Sequence, residues 1–392
     1  MIVTYYKTYS QVVQANEYYL TLADSDRKIE NTISIDLSKS EIESVQAITG
    51  EKVNIRTNNL IINGETLKPE DISTRGQTTL QFKRKSFSFK LNSSASFRHG
   101  EKIKKLKKFI LVNLSMDKYY IRNRLAFEMM NKIKLFDLFY TFCDLRINGK
   151  SEGIFMIIER PEDWAMHKAN SPLVLRRGYD HKIEKIMTDK MVERVENKKY
   201  QDTYSQIYKT LNKYEGEELY NNLSKCIDLD NYMKWLAFNY FVHNGDYSDE
   251  VFFYIDPKIG KFRIIPWDYD DIFAAAPHEG KVNNKKVVGD KLIFSSEDLL
   301  DVKIAQDPYL YNIYLTTLRR MLDELSLPEL KVIFEDTYAE LFPYYSETEI
   351  ISNSKYDVYK DANLENLKSE IVTVYLGLKG ARDNYLEYLN KR

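Results

Sequence analysis

Three aspartates in one short stretch could do chemistry together. Asp246 follows His243-Asn244-Gly245, while Asp268 and Asp270 follow Ile265-Pro266-Trp267. Two β-type runs, at 251–255 and 262–265, lie between them on either side of a Pro257-Lys258-Ile259-Gly260 turn. A hairpin there brings Asp246 near Asp268 and Asp270. A phosphoryl-transfer site is assembled in this way: one carboxylate orients the acceptor hydroxyl, and others hold the metal on the nucleotide phosphates. Taken singly, each residue reads more simply as a turn former, because Asp bonds its own backbone in tight turns. Their arrangement around one hairpin, beside Pro266 and Trp267, moves the balance toward function. On an extended segment Asp268 and Asp270 point the same way and can converge on one cation, whereas Asp271 points away and caps the next segment. His243, at a helix end, reads as a packing or capping group. Five histidines scattered through the chain do not support a zinc site.

Other motifs stand in a definite order. Arg75-Gly76 precedes Phe82-Lys83-Arg84-Lys85-Ser86-Phe87-Ser88-Phe89-Lys90-Leu91. Asn113-Leu114-Ser115-Met116-Asp117 leads to Ile121-Arg122-Asn123-Arg124-Leu125-Ala126-Phe127-Glu128. Arg146-Ile147-Asn148-Gly149-Lys150 is followed by Gly153-Ile154-Phe155 and Glu159, and the Asn-Gly-Asp and Trp267-Asp268-Tyr269-Asp270 segments come last. From about 71 to 273, and more weakly to 318, this series resembles the CotH kinases, atypical protein kinases named from a spore-coat protein.

The resemblance implies an ATP-dependent protein kinase that transfers the γ-phosphoryl group to a protein hydroxyl of Ser or Thr, with Mg²⁺ or Mn²⁺. It points to Lys85 as the nucleotide lysine, and strand alternation sets Lys85 beside Phe87 and Phe89, away from Ser86, Ser88 and Lys90. Glu128, on the helix that follows Asp117, is then the partner of that lysine. Its plainer role is an i,i+4 pair with Arg124. Glu159 ends the hairpin of the resemblance and joins the nucleotide-binding set. Arg75 can approach phosphate, since Gly76 allows close backbone contact and a guanidinium reads phosphate bidentately. Asp246 is the catalytic carboxylate, with Gly245 expected as a helix C-cap. Asp268 and Asp270 are the metal ligands. Where the family has an asparagine before the aromatic strand, this chain has Glu250, or Asp249 beside it. A carboxylate there still ligates a hard cation, so Glu250 joins the metal set.

Composition bounds the alternatives. The 392 residues suggest more than one folding unit, and 43% hydrophobic residues suffice for sizeable cores. Lysine and arginine number 57 against 58 acidic residues, which argues against nucleic-acid binding. Five lysines fall within 102–108, read as a solvated loop or helix face. Cys143 and Cys226 offer no disulfide framework or zinc spacing and read as small apolar packing groups. No apolar run approaches the roughly 20 residues of a membrane span. The first residues lack a charged n-region and a long apolar h-region, so the chain is either cytoplasmic or has had a signal removed.

Short β-rich segments at 33–37, 52–56, 60–62, 87–91 and 109–112 precede one helix-spaced stretch at 119–133, carrying Ile121, Leu125, Met129 and Ile133. Strands resume at 142–147 and 154–158 around Asn148-Gly149. Pro161, which cannot continue a ladder, is a candidate hinge. Beyond it, helical spacing covers 198–219, 229–242 with Asp228 or Asp230 as cap, 299–305, 309–325, 327–341 and 364–389. The expected fold is α+β, a two-lobe protein-kinase-like arrangement with a β-rich nucleotide-binding lobe at 1–160 and a mostly helical lobe at 161–392 carrying the hairpin. Two other functions stay open: a catalytically weak or inactive kinase-like binding module, kept in view by Glu250, and transfer of AMP to protein.

Overall fold

The computed structural model describes residues 19–57, 59–76, 78–178, 181–188, 194–247, 251–273, 286–295, 298–354 and 361–392. An eight-stranded sheet comes first. Its strands are β1 (Thr32–Asp36), β2 (Asn59–Ile62), β3 (Glu65–Leu67), β4 (Pro69–Arg75), β5 (Ser86–His99), β6 (Lys102–Val112), β7 (Tyr140–Ile147) and β8 (Lys150–Glu159). Their order is β3-β2-β1-β7-β8-β6-β5-β4, with β1 parallel to β7. Of the expected strands, 52–56 contributes only a single bridge, Asn54 to Ser73.

Strand alternation splits the buried side chains into two cores. On β8, Ile154, Met156 and Ile158 face one core while Phe155 and Ile157 face the other. The second core also takes Phe87, Phe89 and Phe109, with the last two rings stacked at 4.8 Å. Helix α1 (Lys39–Gln46) packs Val45 and Ile42 onto that face. Its cap is Ser38, whose Oγ accepts the Glu41 N–H, an arrangement that fills one of the orphan donors of a first turn. The lysine-rich stretch 102–108 is strand, not a solvated loop or helix face. Leu106 is buried between exposed Lys105 and Lys107, which is period two, and Lys104 pairs with Glu159.

The other face receives helix α2 (Arg122–Lys132) and the rest of the chain. A second sheet of order β10-β9-β11-β12 contains β9 (Leu173–Arg177), β10 (Ile183–Thr188), β11 (Val251–Asp256) and β12 (Lys261–Ile265). The expected hairpin is β11–β12, in register Phe253 to Ile264. The helical readings become α3 (Arg194–Leu211), α4 (Gly216–Leu223), α5 (Leu229–Phe241), α6 (Leu299–Gln306), α7 (Pro308–Glu324), α8 (Leu327–Ser346), α9 (Thr348–Asn353) and α10 (Leu364–Asn390). Asp228 caps α5 by accepting the Asn231 N–H. Pro161 opens a short helical turn, Pro161–Asp163, at a position where its fixed φ suits a helix start.

The molecule is thus α+β, and its larger core is continuous from α2 to α10. The C-terminal chain returns to the first sheet. Arg124 of α2, fully buried, bonds Glu340 and Asp336 at 3.0 and 2.7 Å and the Thr337 hydroxyl at 2.6 Å on α8. At the end of α9, Ser354 Oγ accepts the Ile154 N–H at 2.8 Å. Both cysteines are buried and free. Among the described residues, no helix is long and apolar enough to cross a membrane.

Candidate functional site

The first turn of α2 builds the site's floor. Asp117, fully buried, accepts the N–H groups of Arg122 and Asn123 at 2.8 and 2.9 Å and the Asn123 side-chain amide at 3.1 Å. Burial raises its carboxyl from 3.8 to about 6, against the pull of those amides and of Arg122. Two side chains of this turn then reach the loop after β12. Asn123 Oδ1 accepts the Tyr269 N–H at 3.2 Å, and Arg122 Nη1 donates to the Asp270 carbonyl at 2.8 Å. Tyr269 is fully buried and meets Phe238 of α5 edge-on, so the loop is pinned in the core between its two outer aspartates.

The Asp246 segment is tied to the same loop. Gly245 N–H donates to the Asp271 carbonyl at 2.8 Å, and Phe273 N–H donates to the Val242 carbonyl at 2.7 Å. The residue that ends α5 in left-handed backbone is His243, at φ 50°, so Gly245 is not the cap. His243 packs as expected, with its Nε2 3.0 Å from the Tyr385 hydroxyl. Arg75, at the end of β4, lies over the Trp267 ring at 5.9 Å. Gly76 beside it adopts φ 108°, and a Cβ there would strike Thr79 Oγ1 at 1.8 Å, so only glycine fits the turn.

Asp246, Asp268, Asp270 and Arg75 are therefore gathered around one loop. The reason differs from the expected one at two points. Asp268 has left-handed backbone at φ 59° and is exposed, so simple extended alternation does not align it with Asp270. Asp271 does not turn away: its Oδ1 lies 3.9 Å from Arg122 Nη1. Burial first, then the charges of Asp268, Asp117 and Asp271, hold the Asp270 carboxyl well above the usual carboxylate range, with Arg122 opposing. Several carboxylates thus face one guanidinium, an excess of negative charge that suits a cation. Among the described residues, no three His, Cys, Asp or Glu side chains are grouped to hold a metal ion. Glu250 and Asp249 lie outside the described residues. The donor set fits Mg²⁺ or Mn²⁺ carried by a nucleotide, since Mg²⁺ is usually held by one or two carboxylates plus phosphate oxygens.

Lys85, Glu128 and Glu159 are not brought to this loop or to one another. Lys85 is buried and lines a cavity with Phe87 and Phe155 of the second core, where its Nζ donates to the Leu80 carbonyl at 2.6 Å. Glu128 sits on the opposite face and accepts the Tyr140 hydroxyl, while Arg124 binds α8, so neither the Lys85–Glu128 nor the Arg124–Glu128 pair forms. Glu159 pairs with Lys104 at 3.0 Å. The cause is the phase at which the chain enters β5: Lys85, just before the strand, lies on the side of Phe87 while α2 packs on the other. Sequence reasoning set Asp117 at the start of this helix and Arg122-Asn123 on it, but did not count the three among the site residues. An acidic residue five and six positions ahead of Arg122-Asn123, at the start of a helix-spaced stretch, was the available signal.

Fold and site together define an α+β protein with an acidic loop clamped by a helix N-terminus, faced by Arg122 and with Arg75 over the neighbouring Trp267. A family described as CotH kinase protein matches residues 72–373. Inner spore coat protein H of Bacillus subtilis (strain 168) is 25% identical over 215 residues, which cover 51% of this chain and 58% of that protein. The chain belongs to the CotH family.

Proposed function

We propose that the protein is an ATP-dependent protein kinase, transferring the γ-phosphoryl group to a Ser or Thr hydroxyl of a protein substrate. The observation that carries this reading is the tie between the two acidic segments, Gly245 N–H to the Asp271 carbonyl at 2.8 Å, which sets Asp246 beside the Asp268–Asp270 loop. Asp246 orients the acceptor hydroxyl and takes its proton late in the transfer. Asp268 and Asp270 bind the cation that accompanies the nucleotide. Arg75 binds phosphate, and its stacking on Trp267 holds the guanidinium in place. Arg122 and Asn123 fix the loop's backbone, so the carboxylates keep their positions when charge shifts between them. The bound Mg²⁺ or Mn²⁺ would neutralise phosphate charge.

The test is incubation of the full chain with ATP labelled at the α- or the γ-phosphate, with Mg²⁺ or Mn²⁺, followed by mass spectrometry of the protein and of added protein acceptors. Label from the γ position alone supports kinase activity, and label from the α position means AMP transfer. A second reading, a kinase-like binding module with weak or no catalysis, is favoured by one observation: Lys85 and Glu128 do not pair. No transfer from either label, with wild-type and Glu250→Asn chains alike, makes that reading the better one.

A further inference from the structure

On the face of the first sheet turned away from the acidic loop lies a cavity of about 230 Å³. Its floor is Phe87, Leu145 and Phe155, and Ile42 and Val45 of α1 form a wall. Charge is concentrated at one end. Lys85 is 3% exposed, and among the described residues no carboxylate stands within ion-pairing distance of it. Its ammonium has three donors, of which the Leu80 carbonyl takes one. Arg84 lies 4.7 Å over the Phe155 ring. It spends its Nη groups on the Tyr120 hydroxyl and the carbonyls of Ile154 and Ser354, while its Nε is buried without a hydrogen-bond partner. All of those acceptors are neutral.

Glu152 is the carboxylate that lines this cavity, and Arg84 is its electrostatic partner. Two cations and one carboxylate leave one positive charge in surroundings where an unpaired ion is costly. Lys83 and Lys150 also line the cavity but are exposed, so water screens them. One negative charge balances the buried end. A more highly charged anion would meet Glu152. The apolar floor and wall ask for a hydrocarbon body, and the volume lies below the roughly 300–1,000 Å³ of pockets for drug-sized ligands.

We propose that this cavity is a second ligand site, separate from the acidic loop, that binds a small monocarboxylate with an aromatic or branched apolar body. The carboxylate meets Lys85, with Arg84 adding positive charge beside it, and the apolar body rests on Phe87 and Phe155. This does not depend on the kinase reading, because the site uses the other face of the sheet.

Isothermal titration of the full chain with phenylacetate, 3-methylbutanoate and inorganic phosphate tests it. Saturable one-site binding of the two carboxylates, with phosphate much weaker, is expected. Lys85→Met should weaken phenylacetate by about tenfold or more, the usual scale for a hydrogen bond to a charged group. Glu152→Gln should tighten it, and Asp268→Ala should leave it unchanged. The melting point of each variant establishes that it is folded. The proposal fails if neither acid binds, if phosphate binds as well as phenylacetate, or if folded Lys85→Met binds like wild type. Displacement of phenylacetate by ATP would also overturn it, by making the cavity part of a nucleotide site.

Discussion

Asp270 is the residue on which the chemistry of the acidic loop turns. Burial and three neighbouring aspartates raise its carboxyl well above the usual range, so it holds a proton to higher pH than an exposed aspartate. On the proposed function, a cation binding at Asp270 would have to displace that proton. Metal-dependent ATP binding should therefore strengthen as pH rises, and the gain in melting temperature from MgATP should be larger at pH 8 than at pH 6. Asp268→Ala should abolish most of that gain at both values. Thermal shift with and without Mg²⁺ checks both statements, and a gain independent of pH would remove Asp270 from the ligand set. Asp246 has a different expected signature. Asp246→Asn should keep ATP affinity yet lose phosphoryl transfer by about 10²-fold or more, the scale of general acid–base catalysis. Lost affinity in that variant would place Asp246 among metal ligands or structural groups.

Two elements hold the loop, and each has a weak point. Helix α2 is locked to α8 through Arg124, which is buried among Glu340, Asp336 and Thr337; of the two carboxylates Glu340 is the buried one, while Asp336 is half exposed and also bonded by Arg27. Arg124 and His99 hold Glu340 at about 2 despite its burial. Removing one partner of a buried pair typically costs about 3–5 kcal/mol, so Arg124→Ala should lower stability on that scale by denaturant titration. Because α2 also carries Arg122 and Asn123, any metal-dependent ATP binding should fall with it. The α9 contact is steric. Gly153 adopts φ 93°, and a Cβ would come within 2.8 Å of the Ser354 backbone. Gly153→Ala should destabilise by about 1–3 kcal/mol, the cost of a strained backbone position, and should loosen the docking of α9 on β8, seen as faster amide exchange at Ile154.

At the scale of the whole molecule, a buried polar knot joins the second sheet to α5 and α6. Arg177 bonds the Tyr232 hydroxyl at 2.8 Å and lies 3.4 Å from Asp298, while Tyr232 donates to Asp301. Burial raises Asp301 from 3.8 to about 7, with Arg177 opposing and Asp298 reinforcing. A carboxyl raised on folding contributes stability that is fully present below the unfolded pKa near 3.8 and lost as pH rises through about 7. Asp301→Asn keeps the shape without the ionisation. Relative to wild type, it should therefore be more favourable at pH 8 than at pH 4 in melting temperature, and equal differences at both would refute the linkage. The sequence alone determined the elements with strong local signals. The 251–265 hairpin, the 119–133 helix and the C-terminal helices are legible because apolar period and turn residues are local. Asp246, Asp268 and Asp270 were legible for the same reason, since one hairpin separates them. Strands β9 and β10 were not, because a short run declares itself only through its ladder partners. Tertiary structure alone decided that Lys85 and Glu128 lie on opposite faces and that Asp117, Arg122 and Asn123 clamp the loop. Strand phase at an irregular entry such as Lys85 and contacts across some 150 residues are set by packing, which no local pattern encodes.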